Sequence, residues 1–175
     1  LSENYLYART GYTGEDGVEI MANNDDAESL LTFLIEKGIK PCGLGSIDTL
    51  RLEASLPLYG FELSEDITPV EASLTWTITN KNDYLGSKRI NDQLSGENHK
   101  VLKKFIIDSR KIARTETVGI AGETKGLVTS GNFSPMLNKS IGFILFENMP
   151  SQDLIEFDIR GNLIEGNIVN KRFLS

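Results

Sequence analysis

The chain has 175 residues, of which 39% are hydrophobic and 25% charged, and its formal net charge is −7. This composition is ordinary for a globular protein with a buried core, and no run approaches the roughly 18 apolar residues of a membrane helix. The single cysteine, Cys42, excludes an internal disulfide and fits a reducing compartment. With one histidine, His99, it argues against a zinc site or a Cys/His nucleophile pair. We therefore expect no metal and no membrane as partners.

The charge is unevenly divided along the chain. Residues 1–99 carry 7 Lys/Arg and 17 Asp/Glu, a net of −10, whereas residues 100–175 carry 11 and 8, a net of +3. The acidic first part argues against nucleic acid as its ligand. The contrast, with the polar segment 95–99 as linker, predicts two domains, residues 1–97 and 98–175.

A glycine-rich turn comes first. Residues 4–10 and 18–21 predict two strands, and the segment from Gly11 to Gly17 predicts a tight turn between them. Alternation along the second strand places Glu19 and Met21 on one face. Two interpretations remain open from these residues: a hairpin with Glu19 on its solvated face, or a carboxylate that holds a polar ligand over the turn.

Two helices are predicted next. The first begins at a capping box of Asp25 and Glu28 and carries an apolar stripe over residues 30–35. The second begins at Ser46 and ends near residue 55. On it Asp48 and Arg51 lie three residues apart, a spacing typical of an exposed surface pair worth well under about 1 kcal/mol.

The apolar segment 70–78 predicts a strand or other buried segment with Trp76 in the core, and residues 86–94 predict a short helix. Short strands then follow over 102–108, 118–120, 126–130, 141–147, 154–160 and 163–169, with a hairpin turn at Gly161-Asn162. The glycines and hydroxyls of residues 126–135 by themselves predict a turn. This spacing predicts a small all-β barrel or sandwich.

No Walker loop, dinucleotide-binding glycine motif or nucleophile elbow is present, so spacing alone selects no reaction. Several segments together, however, carry a resemblance: GYTGEDGVEI at 11–20, KPCGLG at 40–45, DTLRLEA at 48–54, LYGFEL at 58–63, TPVEA at 68–72, and VTSG with SP between 128 and 135. In their order and spacing they resemble the glycine cleavage system T-protein family, the tetrahydrofolate-dependent aminomethyltransferases, in its C-terminal half.

The resemblance implies an α+β region, part of a folate-binding T-protein-like domain, followed by an all-β domain, a small Greek-key β-barrel. It implies transfer of a one-carbon unit from the aminomethyl-lipoyl arm of the H-protein to tetrahydrofolate, with release of ammonia and 5,10-methylenetetrahydrofolate as product. The H-protein and the missing N-terminal half of the fold are the implied partners. The implied location is cytoplasmic in a bacterium or the mitochondrial matrix in a eukaryote.

Carried over residue by residue, the resemblance matches Glu19 to the glutamate that contacts the pterin ring and Tyr12 to a tyrosine of the same cavity. It supplies no catalytic residue here, because the family aspartate belongs to the absent N-terminal part. Ile47 stands where the family has a folate-contacting arginine, and Arg51 matches a structural one. The expectation is therefore a fragment of the enzyme that is inactive alone. The alternatives are an inactive folate-binding or interaction remnant, or a related folate enzyme of the same fold.

Overall fold

A computed structural model describes residues 5–79 and 84–174. In chain order the strands are β1 (Leu6–Ala8), β2 (Glu19–Met21), β3 (Val101–Ile107), β4 (Val118–Ala121), β5 (Thr124–Ser134), β6 (Lys139–Phe146), β7 (Leu154–Ile159) and β8 (Asn162–Val169). The helices are α1 (Asn24–Glu36), α2 (Leu44–Glu53) and α3 (Ser87–Leu94), and a single 3₁₀ turn spans Thr75–Thr77. We call residues 5–79 the front region and residues 101–169 the barrel.

The barrel is closed and antiparallel, with the strand order β3-β6-β5-β4-β7-β8 and β8 paired back to β3. The consecutive strands β4, β5 and β6 form a meander, and β3 lies beside β6, which is a Greek-key arrangement. Its interior is filled by apolar side chains that alternate along the strands, with Phe105, Phe146 and Phe157 fully buried. The expected all-β barrel after an α+β region is confirmed.

A glycine in β5 allows the chain to pass close to the segment before β4. A Cβ on Gly131 would lie 1.8 Å from the carbonyl oxygen of Ala113. The register between β5 and β6 shifts between Val128 and Ser130, so a bulge precedes this glycine. With this bulge and close approach, β5 runs on without a break to Ser134. The prediction of a turn over residues 126–135 is therefore wrong.

The front region has little core of its own. β1 and β2 form a separate two-stranded sheet, with Ala8 paired to Glu19. α1 contains no buried residue, and its apolar stripe faces a groove of about 450 Å³. The groove is lined by Val18, Ile20, Ala22, Ala27, Leu30, Leu31 and Leu34. α2 packs against the barrel through a second cluster that includes Leu52, Leu102 and Phe143, and the backbone N–H of Leu102 donates to the carbonyl of Glu71 at 2.8 Å.

Other local predictions also need correction. The helix α1 begins after Asn23 without a side-chain cap, so the Asp25–Glu28 capping box is wrong. α2 begins after Gly43 rather than at Ser46, whose hydroxyl donates to the Gly43 carbonyl instead. Trp76 lies on the 3₁₀ turn and is 78% exposed, so its expected place in the core is wrong.

The hairpin between β7 and β8 turns one residue earlier than predicted. Its loop is Arg160-Gly161, both with positive φ, because Ile159 pairs directly with Asn162. Residues 95–100 join α3 to β3, and the domain boundary at 97/98 stays a prediction. In the described part of the chain, none of the helices has both the length and the apolar character needed to cross a membrane.

Candidate functional site

The glycine turn between β1 and β2 is held against the end of α2. Gly14 has φ +77°, a conformation that L side chains rarely adopt, and a Cβ there would lie 2.4 Å from the Cβ of Ala54. Arg9 and Asp16 form an ion pair across the turn. The glycine turn therefore makes a close approach at Gly14, and its neighbour there is the C-terminal end of α2.

Glu19 lies on the exposed face of β2. The groove beside α1 is lined by its neighbours Val18 and Ile20, so Glu19 points to the opposite side, as the alternation predicted. Its Oε2 accepts a hydrogen bond from the hydroxyl of Thr10. In the described part of the chain this is the one side-chain hydrogen bond of Glu19, so the carboxylate keeps further acceptor positions.

Tyr12 lies half-buried where the front region meets the barrel. Its hydroxyl donates to the carbonyl of Pro57. Burial raises the pKa of the Tyr12 phenol; the Arg51 guanidinium opposes this shift, and the carboxylates of Glu62 and Asp48 add to it. Tyr12 therefore stays protonated at neutral pH. Because its proton is donated to Pro57, a ligand could contact the ring or donate a hydrogen bond to the phenol oxygen.

Arg51 is the centre of a buried polar network. Its side chain is 3% exposed, and its Nη2 lies 2.8 Å from Asp48 Oδ1. Nη1 lies 3.3 Å from Glu62 Oε2, and Glu62 is fully buried. Nη2 also donates to Ser130 Oγ of β5 at 3.0 Å. The surface pair expected from the sequence is wrong, because the barrel and the segment 56–62 cover the arginine.

Further hydrogen bonds join α2 to β5. Asn132 Nδ2 donates to Asp48 Oδ2 at 3.1 Å, and Ser134 Oγ donates to the buried carboxylate of Glu53. The backbone N–H of Met136 donates to Glu53 at 3.2 Å. These contacts satisfy charges that burial would otherwise make costly. They fix α2, and with it Tyr12 and the glycine turn, on the barrel.

Ile47 lies on α2 and is 41% exposed. The nearest arginine along α2 is Arg51, and all of its polar atoms are engaged within the network. Arg51 is therefore unavailable to replace the cation that the family resemblance places at position 47.

The sequence missed Glu62, Ser130, Asn132 and Ser134 as members of this network. One signal was present: the second half of β5 carries hydroxyl or amide side chains at alternate positions, from Ser130 through Asn132 to Ser134, with Gly131 and Phe133 between them. Such a pattern indicates that one face of the strand meets polar groups. Which groups they are depends on contacts across about 80 residues of chain.

Two family models match the chain in the order of its two regions. The first, described as "GCVT N-terminal domain", matches residues 2–82. The second, described as "Glycine cleavage T-protein C-terminal barrel domain", matches residues 100–174. The chain belongs to the glycine cleavage T-protein family.

Curated relatives and a solved structure support this assignment. Proteins named "Aminomethyltransferase" from Bacillus mycoides (strain KBAB4) and Bacillus cereus (strain AH187) are each 44% identical over 96% of this chain and 48% of their own length. The crystal structure of glycine cleavage system aminomethyltransferase T from Bartonella henselae matches with a TM-score of 0.86 and 28% identity, over 99% of this chain and 50% of that one. The chain thus spans about half the length of the relatives it matches.

Proposed function

We propose that this chain supplies part of a tetrahydrofolate-dependent aminomethyltransferase of the glycine cleavage system. The observation that carries the proposal is the 44% identity to proteins named aminomethyltransferase over 96% of the chain. The reaction would transfer a one-carbon unit from the aminomethyl-lipoyl arm of the H-protein and release ammonia. Tetrahydrofolate would accept that unit.

Glu19 is the residue proposed to hold the pterin. Its carboxylate is exposed, and its described side-chain hydrogen bond comes from Thr10 alone. A carboxylate with free acceptor positions can receive the two parallel N–H donors of an aminopyrimidine edge. The free acceptor positions and the exposure of Glu19 therefore fit a pterin ring.

Tyr12 would contribute an aromatic surface to the same cavity, because its hydroxyl is already bound to Pro57. The proposal assigns no cation to the folate carboxylates, because Ile47 is apolar and Arg51 is buried. We expect this chain to bind the folate tail more weakly than a chain with arginine at position 47, since charged hydrogen bonds contribute about 1.5–3 kcal/mol each.

The catalytic group is proposed to lie outside these 175 residues. The chain spans 48% of its Bacillus relatives, and the front region exposes the apolar groove beside α1. A further part of the fold is proposed to cover this groove and to supply the catalytic group, and the lipoyl-bearing H-protein would then be the partner of the whole. The chain alone is expected to be inactive.

Titration of tetrahydrofolate into the chain tests the binding assignment. We expect saturable binding that Glu19→Ala weakens by about tenfold or more, as for a lost charged hydrogen bond. Glu15→Ala is the matched control, because Glu15 is an exposed glutamate of the same turn. Equal affinity of the two variants would overturn the assignment of Glu19.

Reconstitution tests the reaction. The chain is mixed with a polypeptide equivalent to the part of the Bacillus mycoides relative that it does not span, together with lipoylated H-protein and tetrahydrofolate. We expect ammonia release from the mixture and none from either part alone. A mixture that binds tetrahydrofolate and forms a complex but releases no ammonia would favour the alternative, an inactive folate-binding remnant, which the isoleucine at position 47 favours.

A further inference from the structure

A small cavity lies on the outer face of the barrel, where the end of α2 and the turn before Leu74 meet β3. Its volume is about 230 Å³, and its lining includes Ser55, Ser73, Lys103, Lys104 and Asn170. The described lining contains two lysines and no aspartate or glutamate. In a chain with 25 acidic and 18 basic residues, this composition indicates a place suited to negative charge.

The register of the barrel places Lys104 in this cavity. Lys104 pairs with Phe143 of β6 and with Val169 of β8, so the three side chains share one face. Phe143 and Val169 belong to the outer cluster that packs against α2, whereas Phe105 fills the barrel interior. The stem of Lys104 therefore lies on apolar side chains and its ammonium faces the cavity.

The charge of Lys104 is poorly compensated. Its ammonium makes one long hydrogen bond, 3.4 Å to the carbonyl of Asn170. Burial lowers its pKa, and the nearby cations of Arg172 and Lys103 lower it further. Among the described residues, 5–79 and 84–174, no ion pair includes Lys104, Lys103 or Arg172. An anion seated here would relieve this repulsion.

Two serines with left-handed backbones form the opposite wall. Ser55 has φ 63° and Ser73 has φ 57°, which is uncommon for residues other than glycine. Ser55 Oγ accepts the N–H of Phe173 at 3.2 Å, so its own proton remains available as a donor. Ser73 instead donates to the carbonyl of Leu102 at 2.8 Å.

We propose that this cavity binds a small oxyanion, a phosphate or carboxylate group, through the Lys104 ammonium and the Ser55 hydroxyl. The site lies on the barrel face of the molecule and is independent of the folate assignment, which rests on Glu19 and Tyr12. The cavity provides two donors, Lys104 and Ser55, and two further cations, Lys103 and Arg172, lie near Lys104. Charged and hydroxyl donors of this kind recognise oxyanions in proteins.

The test is an NMR titration of the ¹⁵N-labelled 175-residue chain with inorganic phosphate and, separately, with succinate, at neutral pH and constant ionic strength set with sodium chloride. We expect saturable shifts of the amides of Ser55, Ser73, Lys104 and Asn170 with a dissociation constant of about 1 mM or tighter for at least one probe. Saturation by phosphate alone would indicate a phosphorylated ligand, and saturation by succinate alone a carboxylate.

Lys104→Met keeps the aliphatic stem and should weaken binding by about tenfold or more. Lys111→Met, an exposed lysine away from the cavity, should leave the dissociation constant unchanged. Ser55→Ala should weaken binding severalfold. It is the second test variant, to be used if Lys104→Met fails to fold. Shifts that never saturate with either probe, or affinities equal to wild type in both cavity variants, would overturn the proposal.

Discussion

The front region and the barrel differ in how they bury apolar side chains. Within residues 5–79 the buried hydrophobic residues are Leu52, Val70 and Ala72, and Leu52 belongs to the cluster that packs against the barrel. The barrel instead closes on a dense interior in which Phe105 and Phe157 lie 4.7 Å apart between ring centroids. Closure removes sheet edges, so the barrel meets its own hydrogen-bonding needs.

The same difference appears at the exposed surface. Leu31, Phe33 and Ile35 of α1 are each more than two-fifths exposed, and Trp76 is 78% exposed. An isolated two-stranded sheet is also marginal in water. The barrel therefore closes on its own core, whereas the front region presents an apolar surface of the kind that marks contact with other protein. The Arg51 network and the apolar cluster around Leu52 join the two.

The largest effect is expected in the barrel core. Phe157 is fully buried, so Phe157→Ala should lower the free energy of unfolding by about 4 kcal/mol, through lost burial and the cavity left behind. The matched change in the front region is Phe33→Ala, and because Phe33 is 44% exposed it should cost about 1 kcal/mol or less. Urea unfolding measures both, and similar losses would contradict the contrast between the regions.

The next largest loss of stability is expected at the Arg51 network, where the front region meets the barrel. Arg51→Met removes the cation from the fully buried Glu62 and should cost about 3 kcal/mol, because an uncompensated charge stays inside. Adding Glu62→Leu should restore at least half of that loss in a double-mutant cycle. Arg114→Met, an exposed barrel arginine, is the control and should change stability by less than about 0.5 kcal/mol. No recovery in the double variant would argue against a buried pair.

A smaller effect is expected at the glycine turn. Gly14→Ala should cost about 2 kcal/mol, since alanine must adopt φ +77° and its Cβ meets that of Ala54. Ala54→Gly removes the steric part, so the two substitutions together should cost less than their sum, as thermal unfolding would show. Strict additivity would mean that the turn does not rest on α2.

The sequence was sufficient for features that depend on local periodicity. Alternation and turn residues predicted the hairpin around the glycine turn and the strands of the barrel, helical spacing predicted α1, and start and stop signals predicted α2. The turn residues predicted the position of the hairpin between β7 and β8 to within one residue. The observed loop is Arg160-Gly161, where arginine takes a conformation usually reserved for glycine or asparagine.

Features that depend on distant partners were not predictable in this way. Arg51 was expected at the surface because its partner Ser130 lies 79 residues away. Trp76 was expected in the core because tryptophan usually is, but the part of the fold described here leaves it exposed. Assigning Glu19 and Tyr12 to a pterin needed the family resemblance, since an exposed carboxylate and a half-buried phenol indicate no particular ligand.

The smallest effect on this chain's stability, and the sharpest test of the comparison, is Leu31→Lys in the α1 groove. Leu31 is 53% exposed, so the substitution should change the free energy of unfolding by about 0.5 kcal/mol or less. In the reconstituted mixture, however, it would place a charge in an apolar contact and should weaken assembly by about tenfold or more. Thr32→Lys, on the same helix but outside the groove, is the control and should assemble normally. If Leu31→Lys assembles as well as Thr32→Lys, the α1 groove is not the surface that the rest of the protein covers, and the exposed apolar side chains of the front region need another explanation.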